Sequence, residues 1–344
     1  MERKRKQIGK FYVPFHIKII SKATHSPDII SYMKIVMINS KSSEEDFYKF
    51  NPESLENLKS KYRLSMYNTV LDDFSNIPEL FENEEKIVIF NHFALENGFE
   101  KFSQNLPRFK GIRYLLSTYS SYSGLDLELL KKQGIKYRNN GGANAISVAQ
   151  YAITTMFMLL SRFPQLSKLT DMPDGSVLGE EYRGKTAGII GMGNVGESLL
   201  ETLSDLGIKT VYYNRTSKNL NSTQVDFEEV FKQDIIFITI ATNKETSNTL
   251  KKIPEIIKNN NYLIDVSGHD ELYDKQKMID MLAEDKFKGY GLETDLRSDK
   301  NLNLITTPHI AWCTYDAEKR TIDNLINRVI SILEGKVNSI DFIV

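Results

Sequence analysis

TAGIIGMGNVGESLLETL, residues 186–203, decides how the chain is read. Five small or β-branched residues run straight into Gly191, Gly193 and Gly196, and a helix-forming stretch follows at once. Glycines in this G-x-G-x-x-G spacing have separate tasks: the first permits a tight turn, the second lets backbone approach a pyrophosphate, and the third lets helix and strand pack closely. The new helix then offers free N–H groups to phosphates. The triplet alone is weak, because glycines recur by chance. The preceding strand and following helix make it a dinucleotide site rather than a bare strand–helix turn.

Outward from this stretch the chain alternates. Downstream, KTVYYN (209–214), DIIFITI (234–240), YLIDV (262–266), KGYGL (288–292) and LITT (304–307) read as strands, giving six with 186–190. Helical segments separate most of them, which predicts a doubly wound parallel sheet. Upstream, KIVMIN (34–39), KIVIF (86–90) and the heart of IRYLL (113–116) are short apolar strands of a smaller α/β domain. Helical stretches lie at 44–62 and 124–134, the second ending at Gly134 as a C-cap. ANAISVAQYAITTMFMLLSRF (143–163) is apolar on nearly every side and predicts a long buried helix. A last helix is expected at roughly 315–334.

Composition sets the limits. The 344 residues exceed one average domain, and 41% apolar with 26% charged is ordinary for a globular chain. A net charge of −1 gives no global attraction to nucleic acid or to an anionic membrane. No apolar run approaches the ~18 residues of a membrane-spanning helix. One cysteine, Cys313, excludes a disulfide framework and a cysteine-rich metal site, and fits the cytoplasm. No metal is expected. Residues 1–32 open with MERKRK and carry Pro14, His16 and Lys18 through their apolar part. They read as a poorly ordered arm rather than a signal peptide, and Met33 is a candidate start.

Two further stretches carry chemistry. The strand after the glycine motif ends in YYNRTSK, where an NAD site places a ribose-binding acid. Asn214, Arg215 and Thr216 stand there instead. An arginine can pair with a 2′-phosphate and a carboxylate would repel one, so NADP(H) is preferred over NAD(H). The second stretch is ITTPHIAW (305–312), in which His309 follows a strand end and Pro308. An isolated histidine is more often a satisfied core residue, but this one stands in register with the dinucleotide motif.

Four segments in order, GLDLELLKKQGIKYRNNGGANAISVAQYAI, GKTAGIIGMGNVG, DIIFITIATNKETSNTL and LITTPHIAW, resemble the D-2-hydroxyacid dehydrogenase family over nearly everything after Met33. The resemblance implies a Rossmann nucleotide-binding domain (143–312) inserted in a discontinuous flavodoxin-like α/β substrate domain (33–142 and 313–344). It also implies an active site in the cleft between them and a homodimer. It makes His309 the proton carrier of a hydride transfer between NAD(P)H and a small 2-keto or 2-hydroxy acid. The cofactor set becomes Gly191, Gly193, Asn194, Val195, Gly196, Asn214, Arg215, Thr216, Thr239, Ile240, Ala241, Val266, Ser267 and Glu293, the last expected to meet the nicotinamide carboxamide. Main-chain amides around Tyr119, Ser120 and Ser121, in STYSSYSG, would hold the substrate carboxylate.

The chain also departs from that pattern. Where the family has an arginine in a segment like INVGRG, this chain has LIDVSGHDELYD, with Gly268 or His269 in its place. Where the family has a histidine-pairing glutamate five residues past the strand-end acid, this chain has Ser298 and then Asp299. Arg297 or His269 is the candidate substitute for the arginine, and Asp299 for the glutamate. Loop decoration is the plainer reading of each alone. A chain lacking part of the catalytic set could also be a dinucleotide-binding sensor or interaction protein with little turnover.

Overall fold

The computed structural model describes residues 33–39, 49, 52–68, 74–91, 98–118, 120, 122, 124–173, 175, 177–240, 250–268, 272–338 and 341–344. The arm expected at 1–32 lies outside them, as do Tyr119, Ser121, Ala241 and His269. The chain divides into two compact units, one running to Gly141 and resuming at Thr321–Val344, the other spanning Gly142–Arg320.

The first unit holds five parallel strands: β1 (Lys34–Asn39), β2 (Leu64–Asn68), β3 (Lys86–Asn91), β4 (Ile112–Ser117) and β5 (Lys136–Arg138). Their order, β2-β1-β3-β4-β5, is that of a flavodoxin-like sheet. Ile35 to Asn39 of β1 are all buried, as a central parallel strand covered on both faces requires. One face packs Ile35, Met37 and Ile87 against Ile322, Leu325 and Val329 of the helix Tyr315–Leu333. The other gathers Phe74, Phe90, Phe102 and Phe109, whose rings meet edge to face or tilted. The helix Leu127–Lys132 starts where Asp126 accepts the Leu129 N–H at 2.9 Å. Gly134 follows it at φ +70°, as the expected C-cap. Strands β2 and β5 have no counterpart in the sequence reading. Both are sheet edges, and in β5 only Tyr137 is buried, so neither carries a central strand's apolar run.

The second unit holds β6 (Thr186–Ile190), β7 (Lys209–Tyr213), β8 (Thr223–Gln224), β9 (Ile235–Ile238), β10 (Tyr262–Asp265), β11 (Gly289–Glu293) and β12 (Leu304–Thr307). All pair in parallel, in the order β12-β11-β10-β9-β6-β7-β8. This is the doubly wound Rossmann arrangement with one added strand, and the order reverses between β6 and β9. Among the described residues seven strands stand where six were expected; the additional one, β8, is a two-residue edge. The helix Ala145–Leu160 buries Val148, Ala149, Ala152, Met156 and Leu159, a stripe at helical spacing. It is not buried all round, because Ile146 is 58% exposed. Residues 313–320, expected with the first unit, group with this one. The hydroxyls of Ser147 and Thr314 meet at 2.6 Å, and Arg320 Nε donates to the Ala143 carbonyl at 3.0 Å, tying the segment to the start of the long helix.

Candidate active site

The glycine loop lies between β6 and the helix Asn194–Asp205, beside the point where the strand order reverses. Gly191 has φ +102°, and a Cβ there would sit 2.9 Å from Ile240 Cα. A Cβ on Gly196 would lie 2.2 Å from the Gly191 carbonyl oxygen. Around Gly193 a Cβ would meet nothing within 4 Å. So two glycines let the turn and helix close on each other, and the middle one leaves its backbone open for a phosphate. That cradle fits a dinucleotide. Thr239 braces it from the end of β9, its N–H donating to the Ile190 carbonyl at 2.9 Å and its hydroxyl to that of Gly191 at 2.6 Å.

The end of β7 completes the cradle. Asn214 Oδ1 accepts the Met192 N–H at 3.0 Å, and its Nδ2 donates to the Thr216 carbonyl at 2.8 Å. The asparagine therefore holds the glycine loop with the oxygen that an acid would turn toward a ribose hydroxyl. Arg215, Thr216 and Ser217 are exposed beyond it, and Lys218 pairs with Glu197 of the loop's helix at 3.0 Å.

The second cluster lies at the ends of β10, β11 and β12. The β11–β12 register sets Glu293 beside Thr307, two residues before His309, and the Thr294 N–H continues the ladder to the Thr307 carbonyl at 2.7 Å. Glu293 is 3% exposed. Its Oε1 accepts the Ala311 N–H at 2.7 Å, fixing the turn after β12. Its Oε2 stands 3.1 Å from His309 Nδ1, at ion-pair distance but off hydrogen-bond alignment. Trp312 Nε1 donates to the His309 carbonyl at 2.9 Å. The imidazole itself is 62% exposed. The carboxylate beside it raises the His309 pKa from its ordinary value, while partial burial and the Lys275 charge pull the other way.

Two expectations change here. Glu293, expected at the nicotinamide carboxamide, turns one oxygen to the Ala311 amide and the other to His309. Asp299 is not brought to that place; it is exposed on the loop after β11. Arg297 is exposed too, and its guanidinium donates to the carbonyls of Thr294 and Leu296 at 2.7 Å each, within its own loop. Gly268, by contrast, adjoins the histidine. It has φ +70°, and a Cβ on it would lie 2.3 Å from His309 Cε1. With the ring so placed, no side chain fits at 268, one of the two positions where the arginine was expected. Val266 continues the β10 ladder to the Ile238 carbonyl at 3.0 Å, and the Ser267 hydroxyl donates to Asp265 at 2.6 Å.

Of the other expected residues, Asn194 and Val195 open the helix after the glycine loop, and Ile240 backs Gly191. Ser120 belongs to the other unit, where it is exposed and its carbonyl accepts from Asn139. Lys275 was missed in the sequence. It is a buried cation behind Glu293, and its position on the stripe 275, 278, 279, 282 could have revealed it.

Residues 153–311 match the model of the D-isomer specific 2-hydroxyacid dehydrogenase, NAD binding domain. That segment, which includes the glycine loop and His309, resembles the NAD binding domain of the D-isomer specific 2-hydroxyacid dehydrogenases. Among curated proteins, a glyoxylate reductase of Thermococcus litoralis is 25% identical over 259 residues, covering 68% of this chain and 77% of its own. Among solved structures, an acyclic imino acid reductase in complex with NADPH and D-Arg has a TM-score of 0.72 at 23% identity, covering 91% of this chain and 100% of its own. The D-lactate dehydrogenase of Aquifex aeolicus, complexed with NAD and lactic acid, has a TM-score of 0.70 at 21% identity, covering 90% and 98%. Among the described residues no helix is long and apolar enough to cross a membrane, and no cluster of His, Cys, Asp and Glu could hold a metal.

Proposed function

We propose that this chain reduces a small 2-keto acid, with His309 as the proton donor, Glu293 as its charge partner and NADP(H) as the preferred dinucleotide. The His309–Glu293 pair carries the reading. A bound dinucleotide supplies the hydride. The chain's own work is to give a proton to the oxygen on which negative charge grows. With Nδ1 turned to Glu293, Nε2 is the nitrogen left to give it. The carboxylate favours the charged imidazolium and fixes the ring's orientation. Because the His309 pKa is raised, the donor stays loaded to higher pH than a free imidazole would. Reduction should therefore hold through about pH 6.5, the ordinary histidine value, and fade as pH rises through the raised one.

Preference for NADP(H) rests on the end of β7. Asn214 there spends its amide oxygen on Met192, no acid is present, and Arg215 is exposed at the next position. Amides around Tyr119, Ser120 and Ser121 remain the proposed seat of the substrate carboxylate. A cytoplasmic homodimer accompanies this reading. It is tested by assaying glyoxylate, hydroxypyruvate and other 2-keto acids with NADPH and with NADH. The expected result is reduction of at least one acid, faster at low concentrations of NADPH than of NADH. Binding of NADPH with no acid reduced would return the sensor reading.

A further inference from the structure

Four ionisable groups converge where β10, β11 and the turn after β12 end. Asp265 closes β10 with no exposure, and Glu293 closes β11. Lys275 opens the helix Lys275–Ala283 and is buried with Met278, Ile279 and Leu282 on its inner face. His309 is the fourth group and the most exposed. Lys275 Nζ stands 3.7 Å from Asp265 Oδ2 and 3.4 Å from the Glu293 backbone carbonyl. An ammonium on the core face of a helix is expensive to desolvate, so its partners explain why it is there.

Asp265 Oδ1 accepts the Ser267 N–H at 2.9 Å and its hydroxyl at 2.6 Å. Asp265 Oδ2 accepts the Tyr273 hydroxyl at 2.7 Å, and that hydroxyl meets Tyr290 of β11 at 2.7 Å. Full burial beside Asp265 pushes the Tyr273 phenol far above its ordinary value, so it stays neutral. Tyr151 of the long helix reaches the site through the Thr307 hydroxyl at 2.7 Å, and burial raises its phenol as well. Among the described residues the charges are then two carboxylates, one ammonium and the imidazole. They sum to −1 with His309 neutral and to zero with it protonated.

We propose that Lys275 is a positioning residue for the proton donor: by offsetting one of the two buried carboxylates, it sets how tightly His309 holds its proton. The inference rests on the reading of His309 as that donor. With the ammonium in place, one net negative charge faces the imidazolium, which keeps its proton near neutral pH and can still release it to a substrate oxygen. Without the ammonium, two carboxylates would hold the proton, and an acid whose pKa lies far above working pH transfers it poorly. A lysine that only filled space would leave the proton affinity of His309 unchanged.

The test is an NMR titration of the five histidines in the full chain, with His309 assigned by the signal lost in His309→Ala. Lys275→Met should raise the His309 pKa by about one pH unit, the scale of a single charge removed at close range. Asp265→Asn should lower it, because the ammonium then acts on His309 with less opposition. The double variant should return it close to the parent value. A His309 pKa indifferent to both single substitutions overturns the proposal. If Lys275→Met does not fold, the near-isosteric Asp265→Asn decides alone, and no downward shift in it is equally fatal. The titration reads His309 whether or not a keto acid is turned over. Failure of this coupling and failure of the reductase reading are therefore distinct results.

Discussion

The ends of β6 and β7 and the ends of β10, β11 and β12 belong to one sheet, and they work differently. At the first, the backbone is the working surface. Gly193 stands open, Gly191 and Gly196 let helix and strand close, and Asn214 and Thr239 hold the loop through its amides and carbonyls. At the second, the working parts are side-chain charges, with Glu293, Asp265 and Lys275 buried behind an exposed imidazole. A backbone site demands glycine at fixed spacing and tolerates little else. A charge site needs only that opposite charges arrive together, and several sequence positions can supply them. Here the glutamate stands 16 residues before the histidine, brought to it by strand register.

This contrast can be broken by substitution. The largest effect is expected at the imidazole: His309→Ala should cut turnover by roughly 10²–10⁴-fold, the usual range for general acid–base catalysis. Its dissociation constant for dinucleotide, measured by fluorescence titration, should stay within a factor of two or so of the parent's. A large loss of binding would merge the two regions into one.

Next comes Gly268→Ala. The new methyl would lie 2.3 Å from the ring, and the residue would keep a left-handed φ. The backbone strain is about 1 kcal/mol or somewhat more. The exposed imidazole can swing aside, so the cost should fall on turnover rather than on the fold. A drop in turnover of about tenfold or more, with a melting temperature lowered by only a few degrees, is expected. Full activity in this variant would show that the ring has no need of its present place.

A smaller effect is expected at the end of β7. Arg215→Ala should weaken NADPH by about tenfold, some 1.4 kcal/mol, and leave NADH nearly unchanged, because an exposed arginine–phosphate pair is partly screened. Equal losses for both cofactors would remove the 2′-phosphate from the account.

The two regions also differ in how far the sequence revealed them. Residues 186–203 disclosed strand, turn and helix together, since the backbone chemistry of that loop restricts which residues can build it. All six strands expected in the second unit are present, with ends shifted by at most two residues. The edge strands β2, β5 and β8 were not legible, being short and, in β5 and β8, largely uncovered. His309 was legible as a candidate. Its partner was not, because the expected glutamate was sought five residues beyond the strand-end acid, whereas Glu293 fills that acid's place and turns to the histidine. Lys275 passed unnoticed because a single lysine in a charged helix reads as solvated until the stripe it shares with Met278, Ile279 and Leu282 is traced.

The most direct measurement is the His309 titration by NMR in the parent and in Glu293→Gln. The glutamine keeps the size of the side chain and removes its charge. If Glu293 holds the imidazolium, the parent value lies above about 6.5 and the variant's falls clearly below the parent's, with the alkaline limb of the reduction pH profile moving down by the same amount. A His309 pKa unchanged by the substitution would contradict the assignment of Glu293 as the partner of the proton donor.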